Sequence, residues 1–141
     1  MNKIRIFKKK FYLLDESYNA NPHSMRLAIN HFNSIDKKKT QKIVLLGDML
    51  ELGKKTSFFH RNLAKYINNS NIDKVFVIGK SILETYKFVK KNKKGKILNS
   101  LNDISSLIRN YINDNDYVMI KGSNLTGLNN FCKKLKKGKI N

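Results

Sequence analysis

Four short segments of the chain carry the residue types that could bind a charged ligand. The first contains two acids, an aromatic residue and two amides, and the second has Asp48 and Glu51 between two glycines. The last combines a lysine and a serine around a glycine. A carboxylate at a strand end can accept hydrogen bonds from both ribose hydroxyls, and an ammonium beside backbone amides suits a phosphate or carboxylate. The segments are residues 15–22, 47–53, 79–81 and 121–124.

Three of these segments also have an ordinary structural explanation. Residues 15–22 could form an Asx turn that caps the next helix, and Asp48 could cap a helix or pair with a lysine instead of contributing to a Mg²⁺ site. His60 has no Cys or second His beside it, so it indicates a structural hydrogen bond or a ligand contact, not a metal site. The last segment also resembles a simple strand-to-helix turn. The residues alone leave both explanations open.

An alternation of apolar strands and amphipathic helices predicts that these segments meet. Apolar runs at residues 43–46, 75–78 and 117–120 are typical of strands buried on both faces of a parallel sheet. Helical spacing of apolar residues recurs around residues 25–32, 59–67, 82–89, 104–112 and 128–135. Two earlier β-rich runs, residues 3–7 and 11–14, predict a hairpin with a basic turn at residues 8–10. The sequence therefore predicts an α/β fold: a Rossmann-like three-layer domain with a mainly parallel sheet and an N-terminal β-hairpin. Ligands of such sheets bind beyond the carboxyl ends of the strands.

Length and composition favour one folded domain over residues 1–141. Hydrophobic residues make up 40% of the chain, and one cysteine, Cys132, cannot form an internal disulfide. No apolar stretch approaches the ~20 residues of a membrane helix. The net charge of +19 could indicate a nucleic-acid-binding module, but 25 of the 29 basic residues are lysine. Their runs at residues 8–10, 37–39 and 90–96 are not interleaved with aromatic residues, so solvated loops in a protein from an AT-rich genome are the preferred interpretation.

The order and spacing of the four segments resemble the C-terminal domain of the Mur ligases. The resemblance rests on residues 14–25, on residues 46–53 followed by His60, on residues 77–79 and on residues 121–124. It implies an ATP-dependent, amide-bond-forming ligase of peptidoglycan synthesis. The substrates that it implies are UDP-N-acetylmuramoyl-tripeptide, activated as an acyl phosphate, and D-alanyl-D-alanine.

The resemblance also implies roles for individual residues. Glu16 matches the acid that contacts the ATP ribose, although Asp is common there, and Tyr18, Asn19 and Asn21 are expected on the nucleotide side of the cleft. A second set of residues is expected to contact the acceptor dipeptide or phosphates: Asp48, His60, Lys121, Ser123 and Asn124. Many relatives have Arg where Asn124 stands. Lys121 and Ser123 are expected on the same solvent-exposed rim of the strand ends as Glu16.

The sequence lacks the loop that would grip a triphosphate. No Gly-x-x-x-x-Gly-Lys-[Ser/Thr] pattern occurs, so ATP and Mg²⁺ are expected to be held mainly by the family's central domain. We expect the N-terminal and central domains to be absent from this chain, because Met1 lies almost where the C-terminal domain begins in the family. Alone, the chain is expected to bind no cofactor tightly and to form no amide. A cytoplasmic monomer with no membrane and no specific nucleic-acid partner is expected.

Overall fold

One six-stranded sheet runs through the computed structural model, which describes residues 1–36, 39–123 and 126–140. The strands are β1 Asn2–Ile6, β2 Lys9–Glu16, β3 Lys42–Gly47, β4 Lys74–Ile78, β5 Lys94–Leu98 and β6 Tyr117–Lys121. Their order across the sheet is β1-β2-β6-β3-β4-β5. The hairpin pair β1 and β2 is antiparallel, and the other neighbours are parallel. The predicted mainly parallel sheet with an N-terminal hairpin is confirmed.

Helices cover both faces of the sheet, as a three-layer domain requires. They are α1 Pro22–Ser34, α2 Thr56–Asn68, α3 Leu83–Phe88, α4 Leu101–Asn110 and α5 Leu128–Lys136. Alternate residues of β3 supply both cores: Val44 and Leu46 pack with α1 and α2, whereas Ile43 and Leu45 pack with α4 and α5. In the described ranges no helix combines the length and the apolar character needed to cross a membrane.

The hairpin turn lies one residue earlier than predicted. Phe7 and Lys8 form it, with φ of 53° and 63°, and β2 already begins at Lys9. Two consecutive positive φ angles match the twist of the paired strands, which is why this turn type is favoured in two-residue hairpins even without Asn-Gly. Lys9 and Lys10 therefore belong to a strand instead of a basic loop.

Lysine side chains cap the carboxyl ends of α1 and α4, and another lysine binds the turn after α2. The Lys42 ammonium donates to the carbonyl oxygens of Phe32, Asn33 and Ile35 at the end of α1. Lys9 Nζ donates to three carbonyls at the end of α4, at 2.6–2.9 Å, and Lys93 Nζ donates to two carbonyls just beyond α2. The last carbonyls of a helix lack intrahelical partners and carry partial negative charge, so an ammonium satisfies and stabilises them. The expectation that the lysine runs are solvated loops is thus wrong for Lys9 and Lys93.

Candidate functional site

The predicted ribose-binding acid lies beside the lysine of the last segment. Glu16 ends β2 and Lys121 ends β6, and the two residues are register partners in the parallel ladder. Both side chains extend from the sheet face that α1 covers, because Leu14 and Met119, two residues earlier in each strand, pack in the core under α1. Among the residues that the structure describes, the Glu16 carboxylate accepts no hydrogen bond, although its charge acts on the Lys121 ammonium. Glu16 is thus half-buried with its carboxylate available to a ligand.

Lys121 is a support of the loop and not an exposed rim residue. Its side chain is only 2% exposed, and its Nζ donates to the backbone oxygen of Asn19 at 2.7 Å. Burial lowers the pKa of Lys121, and the nearby Glu16 carboxylate opposes that shift. The expectation that Lys121 lies exposed at the strand ends is wrong, because the pleat of β6 directs its side chain to the same face as the buried Met119. Its ammonium is therefore already engaged by the loop, and a direct contact of Lys121 to the acceptor dipeptide or phosphates stays a prediction.

In the turn between β2 and α1, Tyr18 and Asn19 are exposed, whereas Asn21 caps the helix. Tyr18 is 62% exposed, and the Asn19 side chain is also exposed. Asn21 is exposed but already engaged, since its Oδ1 accepts from the Ser24 N–H at 2.8 Å while the Ser24 hydroxyl accepts from the Asn21 N–H. This reciprocal pair is a capping box that begins α1. Tyr18 and Asn19 remain predicted ligand contacts, and the side chain of Asn21 has a structural role.

An open cleft of about 290 Å³ lies between this turn and α1. Glu16 and Lys121 line it together with Leu27, which is 51% exposed, and His31. Ser24, Leu27, Ala28 and His31 recur at the three- and four-residue spacing of one helix face. Leu27 and His31 were not predicted site residues, and this helical spacing is the sequence signal that would have indicated them.

Asp48 organises the loops after β3, β4 and β6. Its carboxylate accepts from the backbone N–H groups of Lys80 at 3.1 Å and Ile82 at 2.8 Å, and its backbone oxygen accepts from Ser123 N–H at 3.0 Å. Gly79 lies directly against the carboxylate, with φ of 133°. These contacts bring the strand-end segments together, as the topology predicted. Both carboxylate oxygens already accept these hydrogen bonds. A substrate contact of Asp48 stays a prediction, and it would require the carboxylate to accept further hydrogen bonds or to give up these two.

His60 holds the loop after β3 onto α2. Its ring is fully buried, its Nε2 accepts from the Met49 N–H at 3.1 Å, and its Nδ1 lies 2.7 Å from the Thr56 carbonyl oxygen, to which it donates. Those two bonds together require the neutral ring protonated on Nδ1. Of the two possibilities that the sequence left open, the described contacts favour the structural hydrogen bond, and a direct substrate contact stays a prediction.

The segment after β6 is joined to the other strand-end loops by the backbone of Ser123. Besides donating to Asp48, Ser123 accepts at its carbonyl oxygen from the N–H and hydroxyl of Thr126, at 3.0 and 2.6 Å. Asn124 lies outside the described residues. The predicted contacts of Ser123 and Asn124 to the acceptor dipeptide or phosphates remain predictions.

The residues of this cleft fit a ribonucleotide better than a metal ion. Glu16 offers one carboxylate with accessible oxygens beside exposed polar and apolar groups. Over the described part of the chain, no group of three or more His, Cys, Asp or Glu side chains is placed to hold a metal. A Mg²⁺ ion needs several oxygen ligands, usually carboxylates, phosphates and waters. One carboxylate does not make such a ligand set by itself, whereas it suffices to accept hydrogen bonds from the hydroxyls of a ribose.

Known proteins with this sequence pattern are much longer than this chain. The family model "Mur ligase, glutamate ligase domain" matches residues 4–124. UDP-N-acetylmuramoyl-tripeptide–D-alanyl-D-alanine ligase of Buchnera aphidicola subsp. Baizongia pistaciae is 40% identical over 81 residues, which are 56% of this chain and 17% of the relative. The ligase of the same name from Bacillus subtilis is 40% identical over 68 residues, 48% of this chain and 15% of the relative.

Solved structures share the fold at low sequence identity. The chain superposes on MurF from Acinetobacter baumannii with a TM-score of 0.72 and 23% identity, over 96% of this chain and 29% of that one. MurF ligase from Thermotoga maritima in complex with ADP gives a TM-score of 0.70 and 21% identity, over 90% of this chain and 29% of that one. These likenesses establish the fold, and the family match covers most of the chain. The chain belongs to the Mur ligase family, in which it corresponds to the glutamate ligase domain.

Proposed function

We propose that this chain acts as the C-terminal, closing domain of an ATP-dependent ligase that joins D-alanyl-D-alanine to UDP-N-acetylmuramoyl-tripeptide in peptidoglycan synthesis. The reaction for which the two relatives above are named supports the substrates, and the ADP in the Thermotoga structure supports the nucleotide. The observation that carries the proposal is the available Glu16 carboxylate at the strand-end cleft. ATP would activate the tripeptide carboxylate for attack by the dipeptide amine.

In this proposal the chain supplies binding and orientation. Glu16 accepts hydrogen bonds from the ribose hydroxyls, and Tyr18 and Asn19 contact the nucleotide from the exposed turn. Ser123 would contact the acceptor dipeptide, and the resemblance to the family suggests the same role for Asn124. Closing this rim over the reacting groups would exclude water and hold them in line, which is how a domain without reactive side chains accelerates acyl transfer.

The remaining parts of the enzyme are assigned to other domains. The N-terminal and central domains of the ligase would hold the UDP-sugar substrate, the triphosphate and Mg²⁺, and we propose that they are the partners of this chain. Since ATP and a UDP-linked precursor are its substrates, we place the protein in the cytoplasm, as a monomer. It has no membrane partner and no specific nucleic-acid partner in this account.

Binding of ADP should depend on Glu16 and on the ribose hydroxyls together. With only half of a site present, we expect a Kd of about 1 mM, which is about 4 kcal/mol. Glu16→Ala should weaken ADP binding roughly tenfold, because a hydrogen bond to a charged group contributes about 1.5–3 kcal/mol. Isothermal titration or NMR titration measures this, with Glu84→Ala as a control that removes the same charge from the Arg61–Glu84 pair on the surface.

The nucleotide itself provides the sharper control. Adenosine diphosphate lacking both ribose hydroxyls should bind the wild-type chain as weakly as ADP binds Glu16→Ala, and the variant should not distinguish the two nucleotides. Glu16→Asp should retain the preference, since Asp is common at this position in the family. If the wild-type chain bound both nucleotides equally well, Glu16 would not be a ribose contact.

A further inference from the structure

The C-terminal helix contacts the strand-end loop from the sheet face opposite to Lys121. Asp15 directly precedes Glu16 in β2, so their side chains point to opposite faces. The Asp15 carboxylate lies 2.6 Å from Lys136 Nζ of α5 and is only 8% exposed. It also accepts from the N–H and hydroxyl of Ser17, at 3.0 and 2.5 Å. One ion pair thus joins α5 to the backbone of the candidate site.

Two more residues of α5 pack around the same carboxylate. Asn129 Nδ2 lies 3.4 Å from the buried Ser17 hydroxyl. Cys132 is fully buried beside Ser17 and Asp15, and burial raises the pKa of its thiol to about 12. At neutral pH the thiol is therefore uncharged, and it contributes packing instead of a second charge. Asp15, Ser17 and Lys136, the residues of this cluster that make the strong contacts, form what we call the α5 anchor.

The α5 anchor and Lys121 hold the same short loop from two sides. Lys121 fixes the backbone oxygen of Asn19 on the α1 face, and the anchor fixes Asp15 and Ser17 on the α5 face. Glu16 and Tyr18, the predicted nucleotide contacts, lie between these fixed points. The helix lies beyond residues 4–124, the part that the family model matches.

We propose that α5 positions the Glu16–Asn19 loop for ribonucleotide binding, with the Lys136–Asp15 ion pair as its principal connection. This rests on the proposed function, in which that loop contacts the nucleotide. Lys136 and Asp15 are positioning residues, because neither faces the cleft. A pre-ordered loop loses less conformational freedom when a ligand binds, so breaking the anchor should weaken binding without removing any ligand contact.

Loss of the Lys136 ammonium would leave a nearly buried carboxylate without its cation. Burial alone would raise the pKa of Asp15, but the hydrogen bonds from Lys136 and Ser17 outweigh it and the pKa is lowered. Without Lys136, the Asp15 carboxylate is more stable when it turns toward water, because an unpaired buried charge is strongly unfavourable. Turning would release the Ser17 N–H and with it the loop.

The test compares Lys136→Met with Lys136→Arg and with Lys133→Met, which changes an exposed lysine of the same helix. Amide hydrogen exchange reports the loop directly: in Lys136→Met the Ser17 amide should exchange at least tenfold faster, while the Ser24 amide, held by Asn21 in the α1 cap, is unchanged. ADP titration of the same samples should show at least fivefold weaker binding. Lys136→Arg should restore both values to within twofold, and Lys133→Met should match wild type.

The two readouts separate this proposal from the function on which it rests. If wild-type protein bound no ADP, the proposed function would fail, whereas unchanged Ser17 exchange in Lys136→Met would overturn the positioning role whatever the affinity. Faster exchange throughout the sheet, with β4 amides affected equally, would also overturn it, because Lys136 would then serve only global stability. Ser17→Ala, which removes the hydroxyl but no charge, should reproduce the weaker binding if the anchor acts through the loop.

Discussion

Lys42→Met is expected to lower the free energy of unfolding by about 3 kcal/mol. The Lys42 side chain is completely buried, and its ammonium donates to three carbonyls at the end of α1 and to Asn71 Oδ1 at 3.1 Å. Hydrogen bonds to a charged group contribute about 1.5–3 kcal/mol each, and part of that loss is recovered where the freed carbonyls reach water. Methionine fills a similar volume, so a cavity contributes little.

Thermal unfolding is the measurement for Lys42. A loss of about 3 kcal/mol corresponds to a Tm roughly 10 °C lower for a domain of this size. Lys3→Met is the control, since it removes the same charge from an exposed position on the edge strand β1 and should change stability by less than about 0.5 kcal/mol. Equal stability of Lys42→Met and wild type would show that the buried ammonium stabilises the fold no more than an apolar side chain does.

Gly79→Ala is also expected to lower the free energy of unfolding by about 3 kcal/mol, but through backbone strain and a steric clash. The φ of 133° at Gly79 lies in a region that is nearly restricted to glycine, and a Cβ there would lie 2.5 Å from Asp48 Oδ1. Backbone strain of this kind costs about 1–3 kcal/mol. Displacing the Asp48 carboxylate would also weaken its hydrogen bonds to Lys80 and Ile82, so the loops after β3 and β4 should separate.

The matched control for this substitution is Gly53→Ala. Gly53 also has a positive φ, 58°, but a Cβ there would have nothing within 4 Å. Gly53→Ala therefore introduces backbone strain without a clash, and it should lower the free energy of unfolding by about 1 kcal/mol. Urea unfolding at 25 °C compares the two midpoints at constant m-value. Equal destabilisation of the two variants would mean that Asp48 does not organise these loops.

The architecture was predictable because apolar periodicity reports it directly. The continuous run at residues 43–46 indicated a strand covered on both faces, and the spacing of Ile104, Leu107 and Ile108 indicated α4. Once the strands are parallel, their carboxyl ends must share an edge, so the meeting of Glu16 and Lys121 followed from topology alone.

The roles of individual lysines were not predictable in the same way. Lys9 caps a helix whose end lies about a hundred residues further along the chain, and sequence spacing gives no signal for such a contact. Lys42 and Lys93 likewise read as surface charges until the fold brings the end of α1 and the turn after α2 to them. The burial of Lys121 was available from strand alternation with Met119, but the polar segment around it suggested an exposed loop. Part of the net charge of +19 therefore stabilises helices, which reduces its value as a sign of nucleic-acid binding.

The most direct test of this account maps where ADP binds on the isotopically labelled chain by two-dimensional NMR. Titration at about 0.2 M salt screens attraction between the nucleotide and distant lysines, since the Debye length is then under about 10 Å. The account predicts amide shift changes concentrated at residues 16–20 and 121–123, which disappear in Glu16→Ala and are not reproduced by pyrophosphate. Shift changes centred on the basic hairpin at Arg5 and Lys10, equally strong with pyrophosphate, would contradict it and identify the binding as an effect of charge alone.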